Sequence, residues 1–531
     1  MRKVVSKKII LLVLTILLGG FLRFYKLSDY PVQLNHDEVS QIYDTASIVK
    51  TGRDIYGNFL PLAFPSTGEF KVGHYIYIST IPYLFFGDKE FTIRIPAAFF
   101  GTVTILAVFL FIFALTKNWA ISLLSAAAIA ITPSEIFYSR KTFEGEIGLG
   151  LIFLGLFCLV NTLNKLKSQI WGYGATAFLA SAMYLYTSYT ILVPLIVLMI
   201  AIIFKKQIKL EPKKFIMIFS IWLVLIIPLI FMTLTSSSLR FRAVSVFITQ
   251  DANLGRQLEF SQNSTKTYID YIFTRFLNQF NPAYIFVKGL DLTNQDLIGM
   301  GPLHAVQLPL FILGTIYIVR IRISNAKKIL FGIAILSMIP SAFTFESFSP
   351  HRGMVTFATF SIISAFGLYW LIRLSKLILS LTLVIFVLNF IYFIQMYTVN
   401  FPYEKSQHMH YPYKQVAQFV YPQLPYFERI IIDPIYGEVA PVRSVATHYY
   451  LGYYGGYHPA EFQKKLKIDD REIKLDKFII RNIDWRVDQD LKDTLIIASP
   501  WSVPVDTIDR NKIVKTFYFY NKTPAFYAIK L

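Results

Sequence analysis

Apolar runs long enough to cross a lipid bilayer recur through the first 397 residues, and they constrain the fold of this chain more than any other feature. A perpendicular transmembrane helix needs about 20 apolar residues. Of the 531 residues, 54% are hydrophobic and 16% are charged, a balance that soluble proteins of this length rarely show. The sequence therefore predicts an α-helical polytopic membrane protein.

About eleven transmembrane helices are predicted. The first follows a basic N-terminus and lacks a small-residue cleavage site, which indicates an uncleaved helix rather than a signal peptide. The run over 72–86 is short and contains Pro82, so we interpret it as a surface or re-entrant helix. The further spans are predicted at 91–116, 119–137, 146–163, 170–187, 189–204, 214–234, 303–320, 328–345, 354–372 and 376–397.

The basic residues indicate the orientation of the chain. Many Lys and Arg residues lie in short loops near Lys117 and within 165–167, 205–214, 320–328 and 373–376. If 72–86 does not cross the bilayer, these loops share one side, which the positive-inside rule assigns to the cytoplasm. The sequence thus predicts a plasma-membrane protein with a cytoplasmic N-terminus. The chain has a net charge of +19, but many of its Lys and Arg residues lie in these short loops, so a nucleic-acid partner is not predicted.

Residues 398–531 have the composition of a soluble domain. We therefore divide the chain into a transmembrane domain, 1–397, and a small extracytoplasmic α/β domain, 398–531. The Tyr-rich run 449–457 is predicted to be a packed or flexible loop, with stacking on sugar rings as the alternative. Helices are predicted at 412–420 and 459–466, and strands at Arg429–Asp433, Lys477–Arg481, Thr494–Ala498, Ile513–Tyr520 and Ala525–Ile529.

Two adjacent carboxylates, Asp37 and Glu38, follow the first apolar run, and both are candidate catalytic residues. Asn35 and Glu38 have the spacing of a capping box, which would occupy Glu38 with a backbone N–H. Asp37 would then be the second residue of a surface helix, where the helix dipole favours its ionised form. An ionised carboxylate at the mouth of a membrane cavity suits a general base. The alternative is a surface Asp that the dipole merely stabilises. His36 is a candidate substrate contact.

Further charged and polar residues are predicted on the same side of the membrane, each beside an apolar run. Arg suits phosphate binding through its planar fork, and Lys adds a point charge. The alternative for each cation is a contact with lipid headgroups. We consider Glu144 a second acidic candidate and His74 a possible substrate contact. The candidates for binding a phosphate are Lys71, Arg140, His351 and Arg352.

Several kinds of soluble chemistry have no signature in this sequence. No His/Cys cluster has zinc-ligand spacing, no Gly-rich phosphate loop follows a strand, and no Gly-x-Ser-x-Gly motif occurs. No cofactor is predicted with certainty. A divalent metal is possible but not indicated.

The segment Leu22–Leu27 followed by His36-Asp37-Glu38 resembles the opening of membrane glycosyltransferases of the GT-C fold. The resemblance is to family 39, the protein O-mannosyltransferase and aminoarabinose-transferase family, with its bacterial and archaeal relatives. It extends over roughly residues 8–375. It continues through Lys71–Tyr77, Phe86–Asp88, Phe91–Pro96, Pro133–Glu144 and Pro350–Arg352.

The resemblance implies a function. Members of that family use a sugar carried on a polyprenyl phosphate, and their catalytic Asp in the first outer loop matches Asp37. Glu144 matches a second acidic residue, and basic residues matching Lys71 and Arg352 would hold the phosphate, with Arg140 and His351 beside them. The implied reaction transfers the sugar, with inversion, to a hydroxyl of a lipid, glycan or protein acceptor on the outer face of the bilayer.

Three other functions remain open at the level of sequence. A lipid-linked sugar flippase or other transporter would place charges in mid-span and break its spans. A GT-C-like ligase or polymerase would use a diphosphate donor. A membrane scaffold for the C-terminal domain would not need the charged residues. The largely uncharged span interiors favour an enzyme.

Overall fold

The computed structural model of the protein describes residues 2–65, 70–164, 168–235, 244–289, 297, 299–321, 324–345, 348–469 and 471–531. The predicted basic loop at 165–167 lies outside these residues. The chain forms two compact units. The first contains Met1–Tyr25 and Arg94–Met396, and the second contains Lys26–Ile93 and Tyr397–Leu531. The predicted first outer loop thus groups with the C-terminal residues. The functional division at 397/398 stays a prediction.

Helices dominate the first unit and alternate with strands in the second. In chain order they are α1 (Arg2–Phe24), α2 (His36–Thr51), α3 (His74–Phe86), α4 (Ile95–Thr116), α5 (Trp119–Ile131), α6 (Pro133–Ser139), α7 (Glu144–Asn164), α8 (Ile170–Leu185), α9 (Thr187–Ile203), α10 (Lys205–Leu210), α11 (Pro212–Thr235), α12 (Ala252–Glu259), α13 (Ser264–Asn278), α14 (Gln307–Arg320), α15 (Ser324–Leu336), α16 (Ile339–Ala342), α17 (Met354–Leu374), α18 (Lys376–Gln395), α19 (Phe401–Lys405), α20 (Tyr411–Val420), α21 (Thr447–Tyr454), α22 (Pro459–Lys465) and α23 (Trp485–Asp488). Short 3₁₀-helices occur at Thr92–Arg94, Ile248–Gln250, Tyr421–Gln423, Val505–Thr507 and Arg510–Lys512. Short π-helices occur at Ala283–Lys288 and Met396–Asn400.

Five helices of the described residues are long and apolar enough to cross a membrane. A sixth candidate combines α5 and α6, which are bent by 57° at a short break. Shorter helices occupy other predicted spans, so the polytopic helical class is confirmed and the count of eleven stays a prediction. The five are Thr92–Thr116, Glu144–Asn164, Pro212–Thr235, Met354–Leu374 and Lys376–Lys405.

Helix α17 lies at the centre of the first unit, and its closest approach is to α14. A Cβ added at Gly367 would overlap the carbonyl oxygen of Leu310, and one added at Gly314 would overlap that of Ile363. Neither position accommodates a larger residue, because the two backbones are in direct contact. Small residues are typical where apolar helices pack closely in a membrane.

The second unit is built on a mixed seven-stranded sheet. Strand β3 (Arg429–Ile432) lies between β8 (Phe478–Ile480) and β9 (Thr494–Ala498) and is parallel to both, and the other strand pairs of this sheet are antiparallel. All five predicted strands are confirmed, whereas the hairpin of β6 (Leu466–Ile468) and β7 (Ile473–Leu475) was missed. The strands are β1 (Ala63–Pro65), β2 (Phe70–Val72), β3 (Arg429–Ile432), β4 (Ile435–Tyr436), β5 (Val442–Arg443), β6 (Leu466–Ile468), β7 (Ile473–Leu475), β8 (Phe478–Ile480), β9 (Thr494–Ala498), β10 (Ile513–Tyr518) and β11 (Pro524–Lys530). The sheet order is β10-β11-β9-β3-β8-β7-β6.

The Tyr-rich run is largely a helix, so its prediction as a loop was wrong. Helix α21 buries Tyr449 and Tyr450 completely. The Tyr450 hydroxyl donates to the carbonyl of Leu34 at 2.9 Å, and the Tyr449 hydroxyl donates to the carbonyl of Pro65 at 3.1 Å. Each ring is buried because its hydroxyl finds a backbone acceptor within residues 26–93. Helix α21 therefore joins residues 26–93 to the C-terminal residues within the second unit.

We expect Tyr450→Phe to lower the free energy of unfolding by about 1–3 kcal/mol, because the substitution leaves the buried Leu34 carbonyl without its donor. Thermal unfolding in detergent, followed by near-UV circular dichroism, measures the change. Tyr426→Phe is the matched control, since Tyr426 is 77% exposed. An unchanged midpoint for Tyr450→Phe would show that the hydroxyl adds nothing to this packing.

Candidate active site

The predicted capping box begins helix α2. The side-chain oxygen of Asn35 accepts from the N–H groups of Asp37 and Glu38, each at 2.9 Å. In return, the Glu38 carboxylate accepts from the Asn35 N–H at 3.1 Å. Glu38 is fully buried. Asp37 is thus the second residue of the helix, as predicted, where the N-terminal dipole stabilises its charge. The catalytic role of Glu38 stays a prediction beside this observed capping role.

The Asp37 carboxylate lies between two basic side chains. Its Oδ1 is 2.7 Å from the Lys71 ammonium, and its Oδ2 is 3.6 Å from Nε2 of His36. Lys71 also donates to the Ser40 hydroxyl at 2.8 Å. The Asp37 side chain is 45% exposed and that of Lys71 only 14%. The acid is therefore fixed in position yet open to a reactant.

The pairing of β1 with β2 positions Lys71 next to Asp37. Phe64 pairs with Lys71 across the hairpin, and its buried ring packs against Gly73. A Cβ at Gly73 would lie 2.5 Å from that ring, so glycine is needed in this turn. His74 then begins α3, and burial lowers the pKa of its imidazole. The hairpin thus delivers both predicted residues, Lys71 and His74, to the start of α3.

Two further polar side chains share a face of α2 with Asp37, and the sequence analysis missed both. Gln41 and Asp44 follow at the fourth and seventh positions, which is the spacing of one helix face. Burial raises the pKa of the Asp44 carboxyl well above its usual range, although its Oδ1 accepts from the Ile55 N–H at 3.2 Å. The helical spacing of Asp37, Gln41 and Asp44 was a signal that could have found this polar face.

His410 is the other missed residue near Asp37. It lies 374 positions away from His36 in the numbering but contacts it, with ring centroids 5.2 Å apart. Its backbone carbonyl accepts from the Gln33 side chain at 2.8 Å. No local sequence pattern connects these positions. Only the packing of residues 26–93 with the C-terminal residues reveals the contact.

The first unit contains the other predicted site residues. The Arg140 guanidinium is buried and donates to the carbonyls of Leu22 and Tyr25 at 2.8 and 2.7 Å, at the end of α1. Glu144 is half-buried as the first residue of α7. The donor-phosphate role of Arg140 stays a prediction. Its observed bonds tie the turn after α6 to the end of α1.

His351 and Arg352 lie just before α17. The His351 imidazole is 3.1 Å from the Ser349 hydroxyl, and its ring meets that of Phe143 edge-on, with centroids 6.1 Å apart. The Arg352 guanidinium donates to the Thr344 hydroxyl at 3.0 Å. The two predicted outer loops of this unit, 138–145 and 346–353, therefore meet. The predicted convergence of Asp37 with Arg140 and Arg352 joins residues of different units and stays a prediction.

A buried charged cluster in the first unit was also missed. Arg23 donates to the Ser139 hydroxyl at 3.1 Å and to backbone carbonyls of α5. The Ser139 hydroxyl is 2.8 Å from the carboxylate of Glu146, and both carboxylate oxygens of Glu135 are buried with no hydrogen-bond partner in the described part of the chain. Each charged residue lies within the first or last turn of its helix. The cluster therefore belongs to the ends of the helices and not to their middles.

Among the residues that the structure describes, no group of three His, Cys, Asp or Glu side chains is arranged to hold a metal ion. No protein-family model matches the sequence, and no curated protein matches it.

Solved structures match the fold over the whole chain. ArnT from Cupriavidus metallidurans bound to undecaprenyl phosphate matches with a TM-score of 0.55 at 9% identity, covering 99% of this chain and 98% of ArnT. The apo form of the same protein gives a TM-score of 0.54 at 11% identity. The chain has the GT-C fold. At such low identity the likeness shows the fold alone, and family 39 stays a prediction.

A second match has the same GT-C fold in a longer protein. The archaeal oligosaccharyltransferase AglB from Archaeoglobus fulgidus, in complex with an inhibitory peptide and a dolichol-phosphate, matches with a TM-score of 0.51 at 12% identity. The match covers 84% of this chain and 63% of AglB. The chain therefore spans less than two thirds of that protein's length.

We expect Asp44→Asn to change stability in a pH-dependent way. The folded-state pKa of Asp44 lies above its ordinary value of 3.8, so the folded protein retains a proton that the unfolded chain releases. The stability contributed by this group is present below about pH 3.8 and is lost as the pH rises through the folded pKa. Asn cannot ionise and keeps an oxygen for the Ile55 N–H.

The unfolding midpoint of Asp44→Asn should match that of the unaltered protein near pH 4 and exceed it by roughly 2–5 °C near pH 7. Differential scanning fluorimetry across this range measures both. Asp490→Asn, at an exposed position of the same unit, is the control. A variant that loses more stability at neutral than at acid pH would contradict the assignment of a buried, protonated Asp44.

Proposed function

We propose that this chain is a membrane glycosyltransferase that moves a sugar from a polyprenyl-phosphate-linked donor to an acceptor hydroxyl on the outer face of the plasma membrane. The GT-C fold supports this, because ArnT, with which the chain shares its full length, was solved with undecaprenyl phosphate. The observation that carries the proposal is Asp37, a half-exposed carboxylate fixed between Lys71 and His36 at a helix N-terminus.

Asp37 acts as the general base in this proposal. It accepts the proton of the acceptor hydroxyl as that oxygen attacks C1 of the sugar. The attack comes from the face opposite the phosphate as the bond from C1 to the phosphate oxygen breaks, so the anomeric centre inverts. The phosphodiester leaves as a monoester and gains negative charge. The exposed part of the Asp37 carboxylate leaves room for the acceptor within hydrogen-bonding reach.

Cationic side chains stabilise the leaving phosphate. Fixed positive charge near a developing anion is worth several kcal/mol of barrier in a site from which water is excluded. Lys71 and Arg352 carry this part of the proposal, with His351 beside Arg352. Arg140 is a further candidate, and its guanidinium also donates to carbonyls at the end of α1. Fixed cations of this kind can supply the charge without a divalent metal.

The remaining predicted residues have supporting parts. Glu144, at the start of α7, is proposed as the second acidic residue of the site, and His74 as a substrate contact beside Lys71. The acceptor is a hydroxyl of a lipid, glycan or protein. The N-terminus is proposed to be cytoplasmic and the C-terminal residues extracytoplasmic, with the active site open to the outer leaflet.

The positions of the buried charges favour an enzyme over a transporter. A transporter places charged groups at mid-span, on discontinuous helices around a substrate. The buried Arg23, Glu135 and Glu146 each lie in a terminal turn of their helix. The bend between α5 and α6 also lies near one end of this helix pair, because only the seven residues of α6 follow it. Charged groups at the helix ends fit a site at the membrane surface.

We expect Asp37→Asn to lower kcat by at least ~10²-fold, because a neutral amide cannot accept the acceptor's proton. The capping hydrogen bond from the Asp37 N–H is retained, so folding should be unaffected. The assay follows transfer of sugar from purified polyprenyl-phosphate donor in detergent or liposomes. Asp29→Asn, an exposed change in the same loop, is the control. Near-normal turnover by Asp37→Asn would remove Asp37 from the chemistry.

We expect Arg352→Ala to weaken donor binding by ~10–100-fold in Kd, since it removes a charge-assisted contact to the phosphate. Titration with a non-transferable polyprenyl phosphate, followed by tryptophan fluorescence, measures the affinity. Arg256→Ala, an exposed substitution in the same unit, serves as the comparison. Equal affinities for the two variants would take Arg352 out of the phosphate site.

A further inference from the structure

The site at Asp37 continues into the C-terminal residues through two imidazoles in contact. His36 approaches Oδ2 of Asp37 with its Nε2, and its ring lies 5.2 Å from that of His410, at an interplanar angle of 50°. Asp37, His36 and His410 therefore form one line of contacts from the exposed carboxylate into the interior of the second unit. A reactant can reach Asp37 and His36, which are partly exposed, but His410 is buried.

The ring of His410 is buried among aromatic side chains. The ring stacks on Tyr450 at 5.8 Å and lies 5.3 Å from that of Tyr436. Burial, with a smaller contribution from His36, lowers the pKa of His410 to about 3, so the ring is neutral at physiological pH. Two imidazoles in contact can therefore coexist without repulsion, and His36 meets a neutral partner.

The backbone at His410 is held in a conformation that costs energy. Its φ angle is +54°, in the left-handed region that residues other than glycine seldom adopt. The Gln33 amide fixes it there by donating to the His410 carbonyl at 2.8 Å. Strained backbone that persists inside a well-determined surrounding is typical of functional sites. Gln33 lies in the same short segment as His36 and Asp37. This one segment therefore holds the His410 backbone through Gln33 and contacts the His410 ring through His36.

We propose that His36 and His410 are positioning residues for Asp37, and that the C-terminal part of the chain thereby completes the catalytic centre. His410 packs on the ring of His36 and keeps its Nε2 directed at Oδ2 of Asp37, while Lys71 holds Oδ1. The buried Nδ1 of His36 has no hydrogen-bond partner among the described residues, which favours the tautomer with the proton on Nε2. The carboxylate is then oriented through both oxygens.

This inference rests on the proposed function, because it gives Asp37 the role of base. It also predicts separate effects on turnover and on substrate binding. An ionised carboxylate has about four lone-pair sites, so the Lys71 ammonium at Oδ1 and the imidazole 3.6 Å from Oδ2 leave capacity for the acceptor hydroxyl. A small misplacement of a catalytic group lowers turnover without abolishing binding. Loss of either imidazole should therefore lower kcat and leave the KM for donor and acceptor nearly unchanged.

Three variants test the arrangement by steady-state transfer kinetics. His36→Phe keeps a ring against His410 but removes the N–H that faces Asp37, and His410→Asn tolerates the left-handed backbone but removes the ring. We expect each to lower kcat by ~10-fold, with KM within about twofold of normal. His408→Asn is the matched control, because His408 is exposed and lies two residues away; it should keep normal kinetics.

A double-mutant cycle separates positioning from general stability. In the Asp37→Asn background, where the base is already lost, adding His36→Phe or His410→Asn should lower the residual rate by less than about twofold. A merely structural role would multiply its effect into that background. If His410→Asn fails to fold, the cycle with His36→Phe alone decides the question.

The outcomes distinguish this inference from the proposed function. Normal kcat for folded His36→Phe and His410→Asn, with Asp37→Asn still inactive, would overturn the positioning role and leave Asp37 as the base. Independent, multiplicative effects in the double variants would overturn it too. An unaltered chain that transfers no sugar from any polyprenyl-phosphate donor would refute the proposed function and this inference with it.

Discussion

The cap at the start of α2 is the interaction on which the candidate site depends. Asn35 binds the N–H groups of Asp37 and Glu38, so the Asp37 backbone cannot turn away, and the helix dipole stabilises the charge that the side chain presents. Glu38 is buried and accepts from Asn35 in return. Two neighbouring carboxylates that look alike in the sequence thus receive different environments. One closes the cap, and the other is left to meet Lys71 and a reactant.

The elements that the sequence predicted well are those whose information lies within a few residues. The capping box needs only Asn35 and Glu38, and strands such as Thr494–Ala498 can be recognised as short runs rich in β-branched residues. The helical Tyr-rich run escaped prediction for the opposite reason. Tyr450 is buried in a helix because its hydroxyl finds the carbonyl of Leu34, 416 positions away. A pattern confined to α21 cannot contain that acceptor.

The arginines show a second limit of sequence reasoning. An Arg at membrane level suits a phosphate, yet the forks of Arg23 and Arg140 are occupied by backbone carbonyls at helix ends. Those carbonyls lack helical partners, and a guanidinium has five N–H donors to supply them. Because every residue carries a carbonyl, the sequence holds no sign of which one an Arg will bind. Lys71 pairs with the Asp37 carboxylate, a contact that the sequence analysis did not predict, and its phosphate-binding role stays a prediction.

The composition of the second unit has a consequence for how the site forms. Residues 26–93 do not form a closed core alone, since α2 buries Val39, Ile42 and Tyr43 and packs on α21 and α22 from the far end of the chain. Hydrogen bonds from Gln33 and to Leu34 fix the segment just before the cap to that same C-terminal region. The geometry at Asp37 is therefore complete only when the last quarter of the chain has folded. Under the proposed function, the C-terminal residues therefore contribute to the catalytic apparatus.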